Sequence, residues 1–265
     1  MSITDKETEF LYARLSDMEK DADKGIFRVS GFFSLAQLCK VKRWLASEGG
    51  RANVRIYGGY ENAERARVYF FPDYMAGDGS SPSVLLGDYG YEDPTAVLKI
   101  SASGFRALTH RDFMGSILSL GIERDVIGDI VVTDEYTAYV FCCRTISDFI
   151  ISGLKKVAND AVKVEECEAP GGEFGERKFE QIRDTVASCR LDAVVAAVCN
   201  LSRDAAKKLV CSGICELNYE QCGTPDTELK LGDVFSVRGK GKYKLHSFDG
   251  ENARGRLRIT VHKYI

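Results

Sequence analysis

The spacing of apolar residues divides the start of the chain into helices and strands. Residues 5–22 have helical spacing but are rich in charge, which predicts an exposed helix. A short strand is predicted at 27–31. A second helix should follow Ser34, a suitable N-cap, and end at Gly49, since glycine suits the position just after a helix.

Two strand-like stretches come next, ANVRIYGG and ARVYFF, on either side of the turn GGYENAE. The Gly, Ser, Pro and Asp residues of PDYMAGDGSSPS then predict a loop. We place a domain boundary in this loop, so that residues 1–75 form an N-terminal α+β domain.

The middle of the chain has a clearer rhythm. A helix is predicted to start at Thr109, with Asp112 completing a capping box, and to end at Gly121. The predicted elements are a strand at 96–101, a helix at 110–120, strands at 129–133 and 136–142, a helix at 147–159 and a last strand in AVKVEEC. The order βαββαβ predicts a plait-like domain over residues 80–168, a four-stranded antiparallel sheet with helices on one face.

Aromatic residues of this predicted sheet raise one functional alternative. RNA-recognition modules share the layout and stack bases on sheet aromatics, and Tyr139 and Phe141 alternate onto one face. Half-buried strands also use aromatic residues routinely, so packing in a core is the favoured interpretation. After this domain, the stretch EAPGGEFGERK predicts a linker over residues 169–180, followed by a C-terminal domain over 181–265.

The C-terminal domain should open with two short helices on a small sheet. The stretch RLDAVVAAVCNLSRDAAKKLVCSGICELN contains two apolar stripes, separated by Ser202 as the N-cap of the second helix and ended by Gly213. Arg203, Lys207 and Lys208 would then lie together on the outer side of that helix. ICELN, ELKLGDVFSVRG and YKLHSF predict strands.

Basic residues also alternate further on. A strand through Lys240, Lys242 and Lys244 would show all three on one face, and Arg254, Arg256 and Arg258 repeat this spacing. We therefore expect the helix pair to form one wall of a phosphate-binding surface and the basic strands another.

The net charge of −3 is distributed unevenly along the chain. Residues 190–265 carry 13 Lys and Arg against 9 Asp and Glu, and residues 234–263 carry 8 against 2. Such local asymmetry is typical of proteins that bind nucleic acid. With 45% apolar and 28% charged residues, no apolar run of membrane-spanning length and no signal-peptide core, the 265-residue chain is expected to be globular, without a membrane partner, and cytoplasmic.

Nine cysteines occur without a CxxC pair, and only three histidines accompany them. We therefore expect reduced thiols, no metal site and no cofactor.

The helix pair followed by GDVFSVRGKGKYK resembles the RNA-binding domain named after ribosomal protein S-four. The matching residues are Arg190, Leu191, Asp192, Ser202, Arg203, Ala206, Leu209, Gly213, Asn218, Gly232 and Asp233. Glu216 and Asp204 depart from the pattern, because each places negative charge where basic charge would help.

Upstream, YGGYENAERARVYFFP and LTHRDFMGSILSLGIERDVIGDI, together with RLDAVVAAVCNLSR, resemble the YlmH family of bacterial RNA-binding proteins. The resemblance implies an α+β region, a plait-like domain and a terminal RNA-binding domain. It also implies work on translating ribosomes, where related small proteins act on stalled large subunits carrying peptidyl-tRNA.

Two triplets suggest enzymes. His110-Arg111-Asp112 spells the kinase catalytic triplet, but Ile117 stands where a kinase needs Asn, and a Gly-rich phosphate loop is missing. Arg190-Leu191-Asp192 resembles the catalytic triplet of pseudouridine synthases, but there it lies in a separate, larger domain.

The favoured function is non-enzymatic binding of structured RNA, rRNA or tRNA, on the ribosome and its large subunit. The alternatives are an RNA-modifying enzyme with an upstream site and a cell-division-linked protein adaptor. Predicted RNA contacts are Arg190, Ser202, Arg203, Lys207, Lys208, Arg238, Lys240, Lys242 and Lys244. Secondary candidates are Arg65, Arg67, Arg111 and Arg124, of which we expect about half to be structural salt-bridge partners.

Overall fold

A computed structural model describes residues 3–47, 53–61, 63–75, 77, 79–171, 174–175 and 179–265 of the chain. The fold belongs to the α+β class, as predicted, and the chain forms two compact units, residues 1–176 and 177–265. The predicted domain boundary near 75–80 and the predicted linker stay predictions. Gly49 and the linker residues 172–173 and 176–178 lie outside the described residues.

The first unit opens with three helices and a small antiparallel sheet of strand order β1-β3-β2. The elements are α1 (Ile3–Asp23), β1 (Arg28–Val29), α2 (Leu35–Ser47), β2 (Val54–Tyr57), β3 (Arg67–Phe70) and α3 (Pro82–Asp88). Ser34 caps α2 as predicted, because its amide donates to the Gln37 side chain and its hydroxyl accepts from the Gln37 amide. The expectation of an exposed α1 was wrong in part, since Leu15 is fully buried against α2 and β3.

The helix α3 was missed. Its sequence is PSVLLGD, and its first two residues fall within the stretch PDYMAGDGSSPS that predicts a loop. In the structure Ser81 is the N-cap, its hydroxyl accepting from the Val84 amide, and Pro82 occupies the first turn. Proline is favoured there because the first amides of a helix need no partner within it.

A five-stranded antiparallel sheet of order β5-β6-β4-β8-β7 follows. Its elements are β4 (Thr95–Ala102), α4 (His110–Leu118), β5 (Ile127–Asp134), β6 (Thr137–Cys143), α5 (Ser147–Gly153), β7 (Lys156–Val157) and β8 (Asp160–Cys167). The predicted βαββαβ order is therefore present, with β7 added at one edge. Thr109 and Asp112 form the predicted capping box at the start of α4.

The predicted helix 147–159 is six residues too long. It ends at Gly153, and the chain then forms the hairpin of β7 and β8. Ala158 lies in the turn of this hairpin with a φ of 51°, a left-handed conformation that a helix does not accommodate.

The second unit is one six-stranded antiparallel sheet of order β11-β10-β12-β13-β14-β9, with two helices on one face. Its elements are β9 (Phe179–Val186), α6 (Leu191–Val198), α7 (Arg203–Cys211), β10 (Cys215–Leu217), β11 (Glu220–Gln221), β12 (Val234–Val237), β13 (Gly241–Glu251) and β14 (Leu257–Tyr264). Val194 and Val198 of α6 and Val210 of α7 pack on Phe235 and Leu245 of the sheet. The predicted helix pair on a small sheet is thus confirmed, while β9 was missed.

Candidate RNA interface

The loop between α6 and α7 fixes the relative positions of the two helix starts. Asn200 adopts a φ of 53° in this loop, and Leu201 donates its amide to the Ala196 carbonyl at 2.9 Å. Ser202 then caps α7 as predicted, its hydroxyl oxygen accepting from the Ala205 amide at 3.2 Å. Gly213, with a φ of 76°, follows the end of α7.

Two arginines from different helix starts converge on one carboxylate. Arg190 donates from Nε to Oδ1 and from Nη2 to Oδ2 of Asp192, each at 3.2 Å. Arg203 Nε lies 3.6 Å from the same Oδ2. The Asp192 side chain is only 3% exposed, whereas Arg203 is 51% exposed. One buried carboxylate therefore holds two guanidinium groups near the surface, and the three side chains keep a net charge of +1.

Lys207 and Lys208 continue this basic surface along α7. Both are exposed, while Ala206 and Val210 of the same helix are buried. Arg203, Lys207 and Lys208 therefore share the outer side of α7, as the sequence predicted. Asp204 is exposed in the first turn and reduces the positive charge there.

A shallow groove of about 560 Å³ runs beside α6 and the start of α7. Small side chains of α6 line it, those of Ala193, Ala196 and Ala197. Its charged lining residues are Arg203, Arg256 and Asp184. An alanine-lined surface lets another backbone approach closely, since no long side chain stands in the way. A sugar–phosphate chain could therefore lie along the groove beside Arg203 and Arg256.

The presence of Arg256 in this groove corrects the predicted basic row of 254, 256 and 258. Residues 252–256 form a turn, in which the side-chain oxygen of Asn252 accepts from the amides of Arg254 and Arg256 at 2.9 and 3.0 Å. Strand β14 starts only at Leu257, so the alternation expected of a strand does not apply to Arg254 and Arg256. Arg256 also donates to the Thr185 carbonyl.

The lysines of β13 do not join the helix-side surface. Lys242 and Lys244 alternate with Tyr243 and Leu245, which are buried beneath the helices. Alternation along the strand therefore directs Lys242 and Lys244 to the opposite face of the sheet. The expectation of a single surface with two basic walls was wrong for this reason. Lys240 is exposed in the β12–β13 turn.

That turn also contains Arg238, which is exposed. Its amide donates to the Ile214 carbonyl at 3.2 Å, just beyond the end of α7. Arg238 therefore lies at the end of the sheet and belongs to neither face.

Three of the four secondary candidates support the backbone of the first unit. Arg65 donates to the carbonyls of Ile127, Phe32 and Arg124 at 2.9, 3.0 and 2.8 Å. Arg124 donates to the carbonyls of Ile127 and Gly128 at 2.7 and 3.0 Å. Burial, with the neighbouring charge of Arg65, lowers the pKa of Arg124 to about 10.

Arg67 is buried and makes the same kind of contact. It donates to the carbonyls of Ser30 and Pro94 at 2.7 and 2.6 Å, and its guanidinium lies 5.5 Å from the centre of the Phe32 ring. These arginines thus have the expected structural role, but they donate to backbone carbonyls and, from Arg67, to the Thr95 hydroxyl, where we expected carboxylate partners. Arg111 is exposed on α4.

The two upstream motifs that carry the family resemblance meet in space. Asp129, from the second motif, accepts from the Tyr60 hydroxyl at 2.8 Å and from the amides of Glu64 and Arg65 at 2.6 and 3.1 Å. Burial raises the pKa of this Asp129 carboxyl. The motifs therefore mark a structural junction that fixes Tyr60, Glu64 and Arg65 against β5.

The sheet face that could have stacked bases in the first unit is covered. Phe141 is fully buried, with the ring of Tyr60 centred 4.9 Å away and that of Phe174 6.1 Å away. Phe32 belongs to the same cluster. Core packing of Phe141, the favoured interpretation, is confirmed.

All nine cysteines are free thiols. Burial raises the pKa of Cys142 to about 12 and that of Cys215 to about 11, which keeps both thiols protonated at neutral pH. Across the described ranges, no three or more His, Cys, Asp or Glu side chains are grouped so that they could hold a metal ion. Within those ranges, too, no helix has the length and apolar character needed to cross a membrane.

Comparison with known proteins gives three findings. Residues 94–170 match the family model described as "Putative RNA-binding domain in YlmH". The "Ribosome-associated protein quality control protein P2" of Bacillus subtilis (strain 168) is 28% identical over 221 residues, which cover 83% of this chain and 82% of that protein. The solved structure "Cell division protein ylmH from Streptococcus pneumoniae" is 23% identical in sequence, with a TM-score of 0.48. The match covers 63% of this chain and 93% of the chain in that structure. The match to the family model confirms, over residues 94–170, the resemblance to YlmH proteins that the sequence motifs indicated.

Proposed function

We propose that this chain is a non-enzymatic RNA-binding protein of the translation apparatus, with residues 181–265 acting as an S-four-type RNA-binding domain. The observation that carries the proposal is the convergence of Arg190 and Arg203 on the buried Asp192, at the edge of a basic helix face. Ion-paired arginines are held in place before RNA arrives, so less side-chain freedom is lost on binding.

The surface is suited to phosphates and sugars of a folded RNA. Arg190, Arg203, Lys207 and Lys208 contribute point charges and guanidinium forks, while the groove beside α6 admits a backbone. Contacts of this kind to phosphates and sugars carry no sequence information directly. The proposed recognition is therefore of shape, as is usual for structured RNA.

The charge of the two units supports the same assignment. Residues 177–265 contain 16 Lys and Arg against 11 Asp and Glu, a net charge of +5. Residues 1–176 contain 20 against 28, a net charge of −8. We infer that the second unit makes the main phosphate contacts, and that the first unit adds contacts that depend less on charge.

The ribosomal part of the proposal draws on the Bacillus subtilis relative, whose name describes a ribosome-associated quality control protein. We propose further that the partner is rRNA, tRNA or both, on the large subunit, and that the process is the rescue or quality control of stalled ribosomes. The proposal that the protein is not an enzyme rests on the two triplets that resemble catalytic motifs, because the aspartate of each is engaged by neighbouring groups. Asp192 is engaged by two guanidinium groups, and Asp112 accepts from the amide and hydroxyl of Thr109.

Sedimentation of ribosomes tests the proposal. Tagged wild type is compared with Arg203→Glu/Lys207→Glu at about 50 mM and about 200 mM salt, a range over which phosphate contacts weaken strongly. The matched control is Lys6→Glu/Arg14→Glu, which reverses two exposed charges on α1. Wild type and control should sediment with ribosomes at low salt, and the helix-face variant should not.

Other outcomes favour the alternatives. If wild type stays at the top of the gradient at low salt, the ribosome assignment fails. Binding of a protein partner that persists after RNA digestion would favour the adaptor. A chemical change in bound RNA that grows with time would favour an RNA-modifying enzyme.

A further inference from the structure

The C-terminal sheet has a second face, opposite to α6 and α7. Strand alternation places Lys242 and Lys244 of β13, His262 and Tyr264 of β14, and Phe179 of β9 on this outer face. The register pairs Phe179 with Tyr264 and Lys244 with His262 on neighbouring strands. Side chains of three adjacent strands therefore form one continuous surface.

The rings on this face form an aromatic row, defined here as His246, His262, Phe179 and Tyr264. The imidazoles of His246 and His262 are stacked, with centres 4.0 Å apart and planes inclined by 16°. Phe179 stacks on His262 at 5.1 Å and meets Tyr264 edge-on at 5.1 Å. Phe179 is 38% exposed and His246 is exposed, so the row reaches the surface.

Positive charge lies along the row. Lys242 Nζ is 4.9 Å from the centre of the Tyr264 ring and 4.6 Å from that of Tyr219. Beyond His246, a cleft of about 520 Å³ is lined in part by Arg183 and Arg258. The cationic groups on this face are Lys242, Lys244, Arg183 and Arg258.

Two acidic residues of the same face are already engaged. Asp249 accepts from the hydroxyls of Ser247 and Thr260 at 2.8 and 2.6 Å. Glu216 accepts from the Ser236 hydroxyl at 3.1 Å. Asp184 also lines the cleft beyond His246. Four cations against these three carboxylates still leave this surface positive, which is complementary to phosphate.

We propose that the outer face of the C-terminal sheet binds unpaired RNA, whose bases stack on the aromatic row while its phosphates lie along Lys242, Lys244, Arg183 and Arg258. Every base has a π face, so a row of rings interleaved with cations accepts a single strand without reading its sequence. The inference goes beyond the proposed function, because it concerns the opposite face of the sheet and a different form of RNA.

Fluorescence anisotropy with three labelled RNAs tests this. The probes are an unstructured single-stranded 12-mer, an abasic 12-mer with the same number of phosphates, and a stable hairpin; about four to sixteen nucleotides is the usual range of such sites. The outer-face variant is Phe179→Leu/Tyr264→Leu, which keeps apolar volume but removes two π faces. Phe248→Leu is the matched control, since Phe248 is a 39% exposed aromatic of β13 outside the row.

We expect the outer-face variant to bind the single strand at least about tenfold more weakly, which is within the range of stacking contributions per base. Hairpin binding should stay within about twofold, and the control should behave like wild type. Wild type should also bind the abasic strand at least about tenfold more weakly than the intact strand. Arg203→Glu/Lys207→Glu should show the reverse pattern, with hairpin binding lost and single-strand binding kept.

Equal binding of the intact and abasic strands would overturn the inference, because only phosphates would then be recognised. Unchanged single-strand binding by the outer-face variant would overturn it as well. Loss of hairpin binding alone would concern only the helix face and the proposed function. If the double variant has a lowered melting temperature, the single-strand affinity of the single variant Phe179→Leu tests the inference. Phe179 is an exposed residue of an edge strand and is not needed for the core.

Discussion

Arg203 Nε lies 3.6 Å from Oδ2 of Asp192, although the two residues lie in the first turns of different helices and stand eleven positions apart. The same carboxylate holds Arg190 through two hydrogen bonds of 3.2 Å. Asp192 is buried in the first turn of α6, where the helix dipole also favours negative charge. It therefore acts as a positioning group for two cations that face the surface.

Asp192→Asn should weaken RNA binding although it makes the protein more positive. Without the carboxylate, Arg190 and Arg203 lose their common partner and must be ordered when RNA binds. We expect hairpin affinity to fall about three- to tenfold, the size of one typical net hydrogen bond of about 0.5–1.5 kcal/mol. Anisotropy measures this, with Asp226→Asn as the control, an exposed acid of the same unit. Equal affinity gains in both variants would show that only net charge matters.

Ser202→Ala should destabilise the C-terminal unit by about 1 kcal/mol, because the Ala205 amide loses its side-chain acceptor. Ser202→Gly should cost only a few tenths of that value. Chemical denaturation measures both changes. Ser212→Ala, at the other end of α7, is the control, since the Ser212 hydroxyl donates only to a carbonyl of its own last turn. An equal loss in all three variants would contradict the capping role.

Phe141→Ala should destabilise the first unit by about 3–5 kcal/mol, since a fully buried aromatic ring leaves a cavity. Phe105→Ala should change stability by less than about 0.5 kcal/mol, because Phe105 is 78% exposed. Thermal unfolding followed by circular dichroism compares the two. A small effect of Phe141→Ala would mean that Tyr60 and Phe174 do not form a closed core over β6.

Arg65→Lys should lower stability without lowering the RNA affinity of the folded protein. Lysine keeps the charge but cannot reach three carbonyls with one planar group, and a buried carbonyl without a donor costs about 1–3 kcal/mol. Arg111→Lys, on the exposed face of α4, should leave stability unchanged. Denaturation and anisotropy on the same samples separate the two effects, and an affinity loss at full stability would make Arg65 an RNA contact.

Stability should depend on pH through His262. Burial, followed by the charges of His246 and Lys244, lowers the pKa of His262 in the folded state. The unfolded chain then binds a proton more readily, so this contribution is complete above the unfolded pKa of about 6.5. It is lost as the pH falls from that value through the lower pKa of the folded state. Unfolding at pH 5.0–7.5 should show this slope reduced in His262→Gln, and an unchanged slope would exclude His262 as its source. His110→Gln is the comparison in the first unit, where burial and Arg124 lower the pKa of His110.

Local signals in the sequence were sufficient for the helix pair. Ser202 and Gly213 mark helix ends through backbone geometry that short stretches determine, and the stripe through Val194 and Val198 faces a core. Strand β9 gave no such signal, because it lies at the sheet edge and is largely exposed until Val186. Hydrophobic alternation identifies a strand only where one face is buried.

Long-range relationships were not readable from spacing. The sequence does not distinguish a buried arginine that binds carbonyls, such as Arg67, from an exposed arginine that binds phosphate. The two roles differ only in the burial and partners that the fold gives the side chain. Likewise, basic residues were assigned to one surface because they were close in sequence. The sheet register places Lys242 and Arg203 on opposite sides, and Tyr243 decides this by taking the inner position.

The cover over Phe141 bears on how the chain can be divided. The segment that matches the family model, residues 94–170, supplies the ring of Phe141 but not those of Phe32, Tyr60 and Phe174, which shield it from water. Cut out at its sequence boundaries, the segment would expose an apolar sheet face and tend to aggregate. A fragment intended to remain in solution must therefore begin before Phe32 and extend past Phe174.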